Sequence, residues 1–253
     1  MPLVGTRPTA DFASGPLIRP GEEAPWTLSR VQILQVMYEL EQGAMTSLLP
    51  PALHPTIPPT LVVTAWRVPE SPAGPFVLAE AKVGCRSGAR PRALSVRAFC
   101  DSEQARAALA DRWGYPLEAA EIGFARRYDR CWVTVEAGGR VVLDAHLVDP
   151  EAISGNDIQY LATLNTARVE REGSVVPRLI QVDPEYQFHS ADRGAPELLA
   201  FDGEAFGLPG AEPYWPVSAS YAVADVAMPE LRYLVDPAKP PLMAVERLPR
   251  TGS

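Results

Sequence analysis

The chain has 253 residues, 23 of them basic and 31 acidic, for a formal net charge of −8. That balance opposes a protein that neutralises phosphate backbones, so no nucleic-acid partner is expected. A hydrophobic fraction of 47% argues against general disorder, and no apolar run approaches the roughly 18 residues that span a bilayer, so no membrane association is expected either.

Residues 1–25 hold Pro2, Pro8, Pro16, Pro20 and Pro25 with few large apolar groups. Proline fixes φ and removes a donor, so this stretch reads as an arm without regular elements. It shows no basic region followed by an apolar stretch and a cleavage site, and a cytoplasmic protein is expected. One domain is expected over 26–240 and a tail over 241–253.

Thr27 to Leu40 is rich in β-favouring residues and reads as a long strand, followed by a short helix over about Glu41 to Leu49 that ends at Pro50-Pro51. Leu61 to Val68, Phe76 to Cys85 and Leu94 to Cys100 read as strands. A helix is predicted over about Ser102 to Arg112, with Asp101 as cap and Ala105, Ala108 and Leu109 as its apolar face. It breaks at Gly114-Tyr115-Pro116, and a second helical piece is predicted over Leu117 to Ile122. Cys131 to Glu136 and Val141 to Leu147 form a hairpin about Gly138-Gly139, where glycine supplies positive φ. Further strands are predicted at Ile158 to Ala167, Leu179 to Val182, Tyr186 to Ser190, Leu198 to Phe201 and Val217 to Val235. The expected class is α+β, mostly antiparallel β, as a barrel with a few short helices.

Cys85, Cys100 and Cys131 are odd in number and far apart, so they read as buried free thiols. His54, His146 and His189 have no metal-ligand spacing, and nucleotide, zinc and serine-hydrolase motifs are absent. No metal or cofactor is expected. Only two lysines occur, Lys82 and Lys239.

The helix, the break Trp113-Gly114-Tyr115-Pro116 and the following Ala119-Ala120-Glu121-Ile122 resemble the central motif of the acetoacetate decarboxylase family. Ser29-Arg30 on a strand ending Val36-Met37-Tyr38, the segment Leu48-Leu49-Pro50-Pro51-Ala52-Leu53, and Pro177-Arg178-Leu179-Ile180 downstream fall in the family's order. The likeness covers about residues 25–236. It implies a lysine amine that condenses with a β-keto acid and accepts electrons as carbon dioxide leaves. A lysine desolvated beside another cation becomes a usable nucleophile, and acetoacetate decarboxylase is the standard example of that effect.

In the family two lysines follow the Gly-x-Pro turn, but here Leu117 and Glu118 stand there. Leucine forms no imine, and a carboxylate reverses the local field. Glu80 matches the family's strand glutamate, unless it is an exposed carboxylate paired with an arginine. Arg30 matches, within one residue of register, the arginine that holds a substrate carboxylate. The family's second pocket glutamate falls near Thr64 or Ala65 and is lost. Glu118 either faces an apolar pocket as a general acid or base, or points outward as a surface residue. Tyr38, Trp113, Tyr115, Leu117, Phe124 and His189 are the candidate substrate-binding wall. Lys82 shares a strand face with Glu80 and is either a migrated nucleophile or a solvated rim charge.

The first expectation is an enzyme of specialised metabolism that uses Glu118, Glu80 and Arg30 for acid–base catalysis of a dehydration, cyclisation or other lyase step, on a keto-acid or polyketide-like intermediate. The second is a non-catalytic relative that binds a small molecule, and the third a decarboxylase with its lysine relocated to Lys82. The resemblance also implies a homo-oligomer.

Overall fold

The computed structural model describes residues 3–19, 25–88, 90–171 and 173–248. Its N-terminal strands are β1 Leu17–Ile18, β2 Thr27–Leu40, β3 His54–Pro55, β4 Thr60–Val68, β5 Phe76–Ser87 and β6 Arg90–Cys100, followed by helix α1 Glu103–Trp113. After the helix come β7 Leu117–Ala119, β8 Glu121–Arg126, β9 Arg130–Ala137, β10 Arg140–Ala152 and β11 Thr163–Arg171. The chain continues with β12 Ser174–Val182, β13 Glu185–Phe201, β14 Pro213–Ala227, β15 Tyr233–Val235 and β16 Val245–Arg247.

All the strands belong to one sheet, ordered β16-β15-β12-β11-β6-β5-β4-β2-β14-β13-β10-β9-β8, with β1, β3 and β7 attached beside β11, β5 and β6. Pairing is antiparallel except at β1/β11, β11/β6 and β6/β7. The sheet curls so that β8 packs over β5 and β9 over β2, although β8 and β16 at the ends of the path do not hydrogen-bond to each other. The expected class, α+β with mostly antiparallel strands and few helices, is the class observed, and the strands expected as a barrel form one open, curled sheet.

Curling buries the middle of the sheet on both faces. β4 reads Thr-Leu-Val-Val-Thr-Ala-Trp-Arg-Val, almost continuously apolar, and is buried along nearly all its length, as a strand covered on both sides must be. Leu61, Val63 and Ala65 enter one core with Tyr38, Phe99, Phe124 and Val133. Trp66 and, on β5, Phe76 and Leu78 enter a second core with Trp26, Leu109, Trp113 and Tyr115. Alternation along a strand with period two makes this division.

Several expectations are corrected. Leu117 to Ile122 is not helical: β7 pairs in parallel with Ala98, Phe99 and Cys100, and β8 pairs with β9. The N-cap of α1 is Ser102, whose hydroxyl accepts from the Ala105 N–H at 3.3 Å, while Asp101 accepts from the Val77 N–H at 2.8 Å. Over Glu41 to Leu49 only a short 3-10 turn forms, at Gln42–Ala44. Ile158 to Ala162 is loop. The strands expected at Tyr186 and Leu198 are one strand, and the expected run to Val235 is broken after Ala227.

In the N-terminal segment the chain forms a 3-10 turn at Thr9–Phe12 and the short strand β1, with Phe12 and Ile18 buried. Pro2, Pro20 and residues 249–253 of the expected tail lie outside the described residues. All three cysteines are buried and free.

Candidate functional site

Glu80 and Lys82 are two residues apart on β5 and project from the face that enters the second core. Lys82 Nζ donates to Glu80 Oε1 at 2.6 Å and to Thr163 Oγ1 at 3.3 Å. The two side chains are only 6% and 2% exposed. This is a buried ion pair, and its charges are desolvated together. The rim position considered for Lys82, and the surface position considered for Glu80, are not where these residues lie.

Register shows what surrounds the pair. Ser220 lies opposite Gln35, Gln35 opposite Thr64, Thr64 opposite Glu80, Glu80 opposite Ala98, and Ala98 beside Leu117. Cross-strand neighbours share a face, so one row runs from Ser220 to Leu117 with Glu80 inside it. A second row runs from Lys82 through Ser95 to Asn165. A bulge between the two rows offsets them.

Both rows are polar where a core strand is ordinarily apolar. Thr64, Ser95 and Asn165 are fully or almost fully buried. Glu80 Oε2, Thr64 Oγ1, Ser95 Oγ and Asn165 Oδ1 have no hydrogen-bond partner among the described residues. Buried polar atoms without partners are rare, and a cluster of them calls for an explanation such as a polar ligand or ordered water.

Aromatic residues close over this face. The Trp66 ring meets Tyr186 edge-on at 6.2 Å, and Tyr160 lies 4.8 Å from Tyr186 and 5.9 Å from Phe188. Tyr160 comes from the 158–162 loop, which is tied to β2 where Gln35 Nε2 donates to the Gln159 carbonyl at 3.4 Å. Burial pushes the Tyr115 hydroxyl well above the usual tyrosine range, and the Glu80 charge adds to the effect. Burial does the same to Tyr186, with Tyr115, Tyr160, Glu80 and Asp183 all raising it further. Tyr160 is also held up, chiefly by burial.

The expected site residues separate into four places. Trp113, Tyr115 and Leu117 belong to the second core with Glu80. Tyr38 and Phe124 line the first core, on the far side of the sheet; the Tyr38 hydroxyl donates to the Pro196 carbonyl at 3.2 Å. Arg30 and His189 converge on Asp225, which accepts from the Arg30 N–H at 2.8 Å and lies 3.0 Å from His189 Nε2. Asp225 is flanked by the core residues Ala224 and Val226, so alternation turns it to the outer face. Glu118 is 56% exposed and pairs with Arg97 at 2.8 Å on the face opposite Leu117. The apolar floor considered for it is therefore not its surroundings. Sequence reasoning passed over Thr64, Ser95, Thr163 and Asn165 as polar site residues, since their meeting depends on register between distant strands.

The acetoacetate decarboxylase family profile matches residues 14–201. No curated protein matches the chain in sequence. Among solved structures, one acetoacetate decarboxylase superposes with TM-score 0.71 at 16% identity, over 83% of this chain and 88% of its own. The acetoacetate decarboxylase of Legionella pneumophila does so with TM-score 0.68 at 15% identity, over 82% and 86%. The enduracididine biosynthesis enzyme MppR, complexed with the condensation product of pyruvate and imidazole 4-carboxaldehyde, gives TM-score 0.68 at 18% identity, over 87% and 92%. At these identities the likeness shows the shared fold.

Proposed function

The chain belongs to the acetoacetate decarboxylase family, and on that premise we propose that it is an enzyme of specialised metabolism that activates a small carbonyl compound at the Lys82–Glu80 pair. The observation that carries this reading is the placement of that pair. The family's lysine position, Leu117, lies in the same row as Glu80 with Ala98 between them, roughly 10 Å away at ordinary strand spacing. Lys82 supplies an amine to the same face from the strand of Glu80.

The chemistry follows from the 2.6 Å contact. Glu80 takes one proton from the Lys82 ammonium, and the freed lone pair adds to the substrate carbonyl carbon while the C=O π electrons move to oxygen. The nitrogen passes a proton to that oxygen, Glu80 returns its own proton to the resulting hydroxyl, and water leaves as the iminium forms. The iminium then draws electrons from a neighbouring bond, which opens lyase, dehydration or condensation steps. The complexes of MppR with pyruvate and with a pyruvate condensation product support carbonyl chemistry within this fold. Glu118 and Arg30 have no part in this scheme.

The test is turnover of a panel of keto acids and polyketide-like ketones by the wild type, Lys82→Met and Glu80→Gln. Loss of turnover in Lys82→Met and a fall of about 10²–10⁴-fold in Glu80→Gln are expected; full activity of Lys82→Met overturns the reading. The outward Glu118 favours a second reading, a relative that binds small molecules without turnover. Saturable binding across a panel that is never converted would establish it.

A further inference from the structure

The charge of the buried site is already balanced. Glu80 and Lys82 cancel, and no arginine appears among their hydrogen bonds and ion pairs within the described residues. Arg30 is exposed and tied through its backbone to Asp225, Arg97 pairs with Glu118 on the opposite face, and Arg178 is held by Asp236 and Glu246. The Glu80 charge raises both the Tyr115 and the Tyr186 hydroxyls, and Asp183 adds to the effect on Tyr186.

The unpartnered atoms have a matching character. Ser95 and Thr64 offer hydroxyls, which donate or accept. Asn165 donates one Nδ2 proton to the Trp113 carbonyl at 3.1 Å, and its Oδ1 acceptor has no partner among the described residues. A bare amide acceptor in the Lys82 row suits a hydroxyl donor better than an anion. Bringing a substrate carboxylate into such a place would bury a second negative charge without a partner, which low-dielectric surroundings penalise heavily.

Building on the proposed function, we infer that the substrate that reacts at Lys82 is an uncharged carbonyl compound bearing hydroxyl or further keto groups, and not a keto acid. Among the described residues no cation besides Lys82 is hydrogen-bonded or ion-paired to Glu80, and the unpartnered atoms of Thr64, Ser95 and Asn165 are neutral. Decarboxylation is then not its reaction, and the iminium serves cleavage, dehydration or condensation of a neutral substrate.

The test uses matched pairs in which a hydroxymethyl group replaces a carboxylate: hydroxyacetone with pyruvate, and glycolaldehyde with glyoxylate. Each is incubated with the whole protein and cyanoborohydride, and adducts are quantified by peptide mapping at Lys82 and Lys239. The exposed Lys239 amine, 3.4 Å from Asp236 and 3.5 Å from Glu246, is the reference for a lysine beside carboxylates outside the buried site. The expected result is a preference for the neutral partner at Lys82 at least about tenfold above that at Lys239, narrowed in Glu80→Gln, where one negative charge is removed. Equal or better labelling of Lys82 by pyruvate and glyoxylate overturns the inference while leaving the Lys82 reading intact. A preference that Glu80→Gln leaves unchanged overturns its electrostatic basis. Failure of every compound to label Lys82 sinks both.

Discussion

Leu117 and Glu80 stand on one face of the sheet, two strands apart, with Ala98 between them. A row so arranged lets a lysine at either end face the same space. This chain has leucine at one end and places its amine at Lys82, 2.6 Å from the carboxylate at the other. In the proposed reading the imine position moves along the sheet without leaving its face, and the buried polar residues nearby, Thr64, Ser95 and Asn165, are uncharged.

Breaking the pair should be costly. Lys82→Met leaves Glu80 buried without its cation and is expected to lower stability by about 3–5 kcal/mol. Lys82→Met combined with Glu80→Leu should recover most of that loss while remaining inactive. Urea denaturation of both variants checks this; equal instability of the two would show that the charge is not the cause.

Glu118→Gln should change little. Its partner Arg97 is 40% exposed, and such surface pairs contribute about 0–1 kcal/mol. Turnover should match the wild type, and a fall in kcat beyond about tenfold would contradict the account of Leu117 and Glu118 as residues on opposite faces.

Gly114 ends α1 with φ of +65°, and a Cβ there would lie 2.9 Å from Ile180 Cγ1 and 3.0 Å from Ala167 Cβ. Gly114→Ala is expected to cost about 1–3 kcal/mol and to displace Trp113 and Tyr115 beside the site. A thermal melt with near-UV circular dichroism reads both effects.

The three thiols are shielded. Burial pushes Cys85 and Cys131 up from 9.0 to about 12 and Cys100 to about 11. Because the folded values are raised, the stability associated with the neutral thiols is fully present below pH 9.0 and is lost as pH rises toward about 12. Ellman's reagent should leave all three unreacted in the native protein and titrate three in denaturant; fast labelling of native protein would contradict their burial.

Much of the fold was legible because it rests on local pattern. The apolar runs of β4 and β5, the Gly138-Gly139 turn and the α1 break at Gly114 each follow from residue type. What failed depended on partners distant in sequence. Leu117 to Ile122 followed a helix and a proline and read as another helix; the parallel partner Ala98–Cys100 makes it extended. That change also turned Glu118 outward, since strand neighbours alternate where helical neighbours need not. The strands read separately at Tyr186 to Ser190 and Leu198 to Phe201 are one, β13, whose continuity comes from pairing with β10 and β14. Glu80 was found through resemblance and Lys82 through its spacing from Glu80, but the burial that makes the pair chemically interesting is a property of the curled sheet.

In the proposed chemistry Lys82 is the reacting amine. The most direct test of this is borohydride reduction of the protein during incubation with the carbonyl panel, followed by peptide mapping. The account predicts a stable adduct on Lys82, absent in Lys82→Met, with turnover lost as the adduct forms. Continued turnover under borohydride with Lys82 unmodified would contradict it.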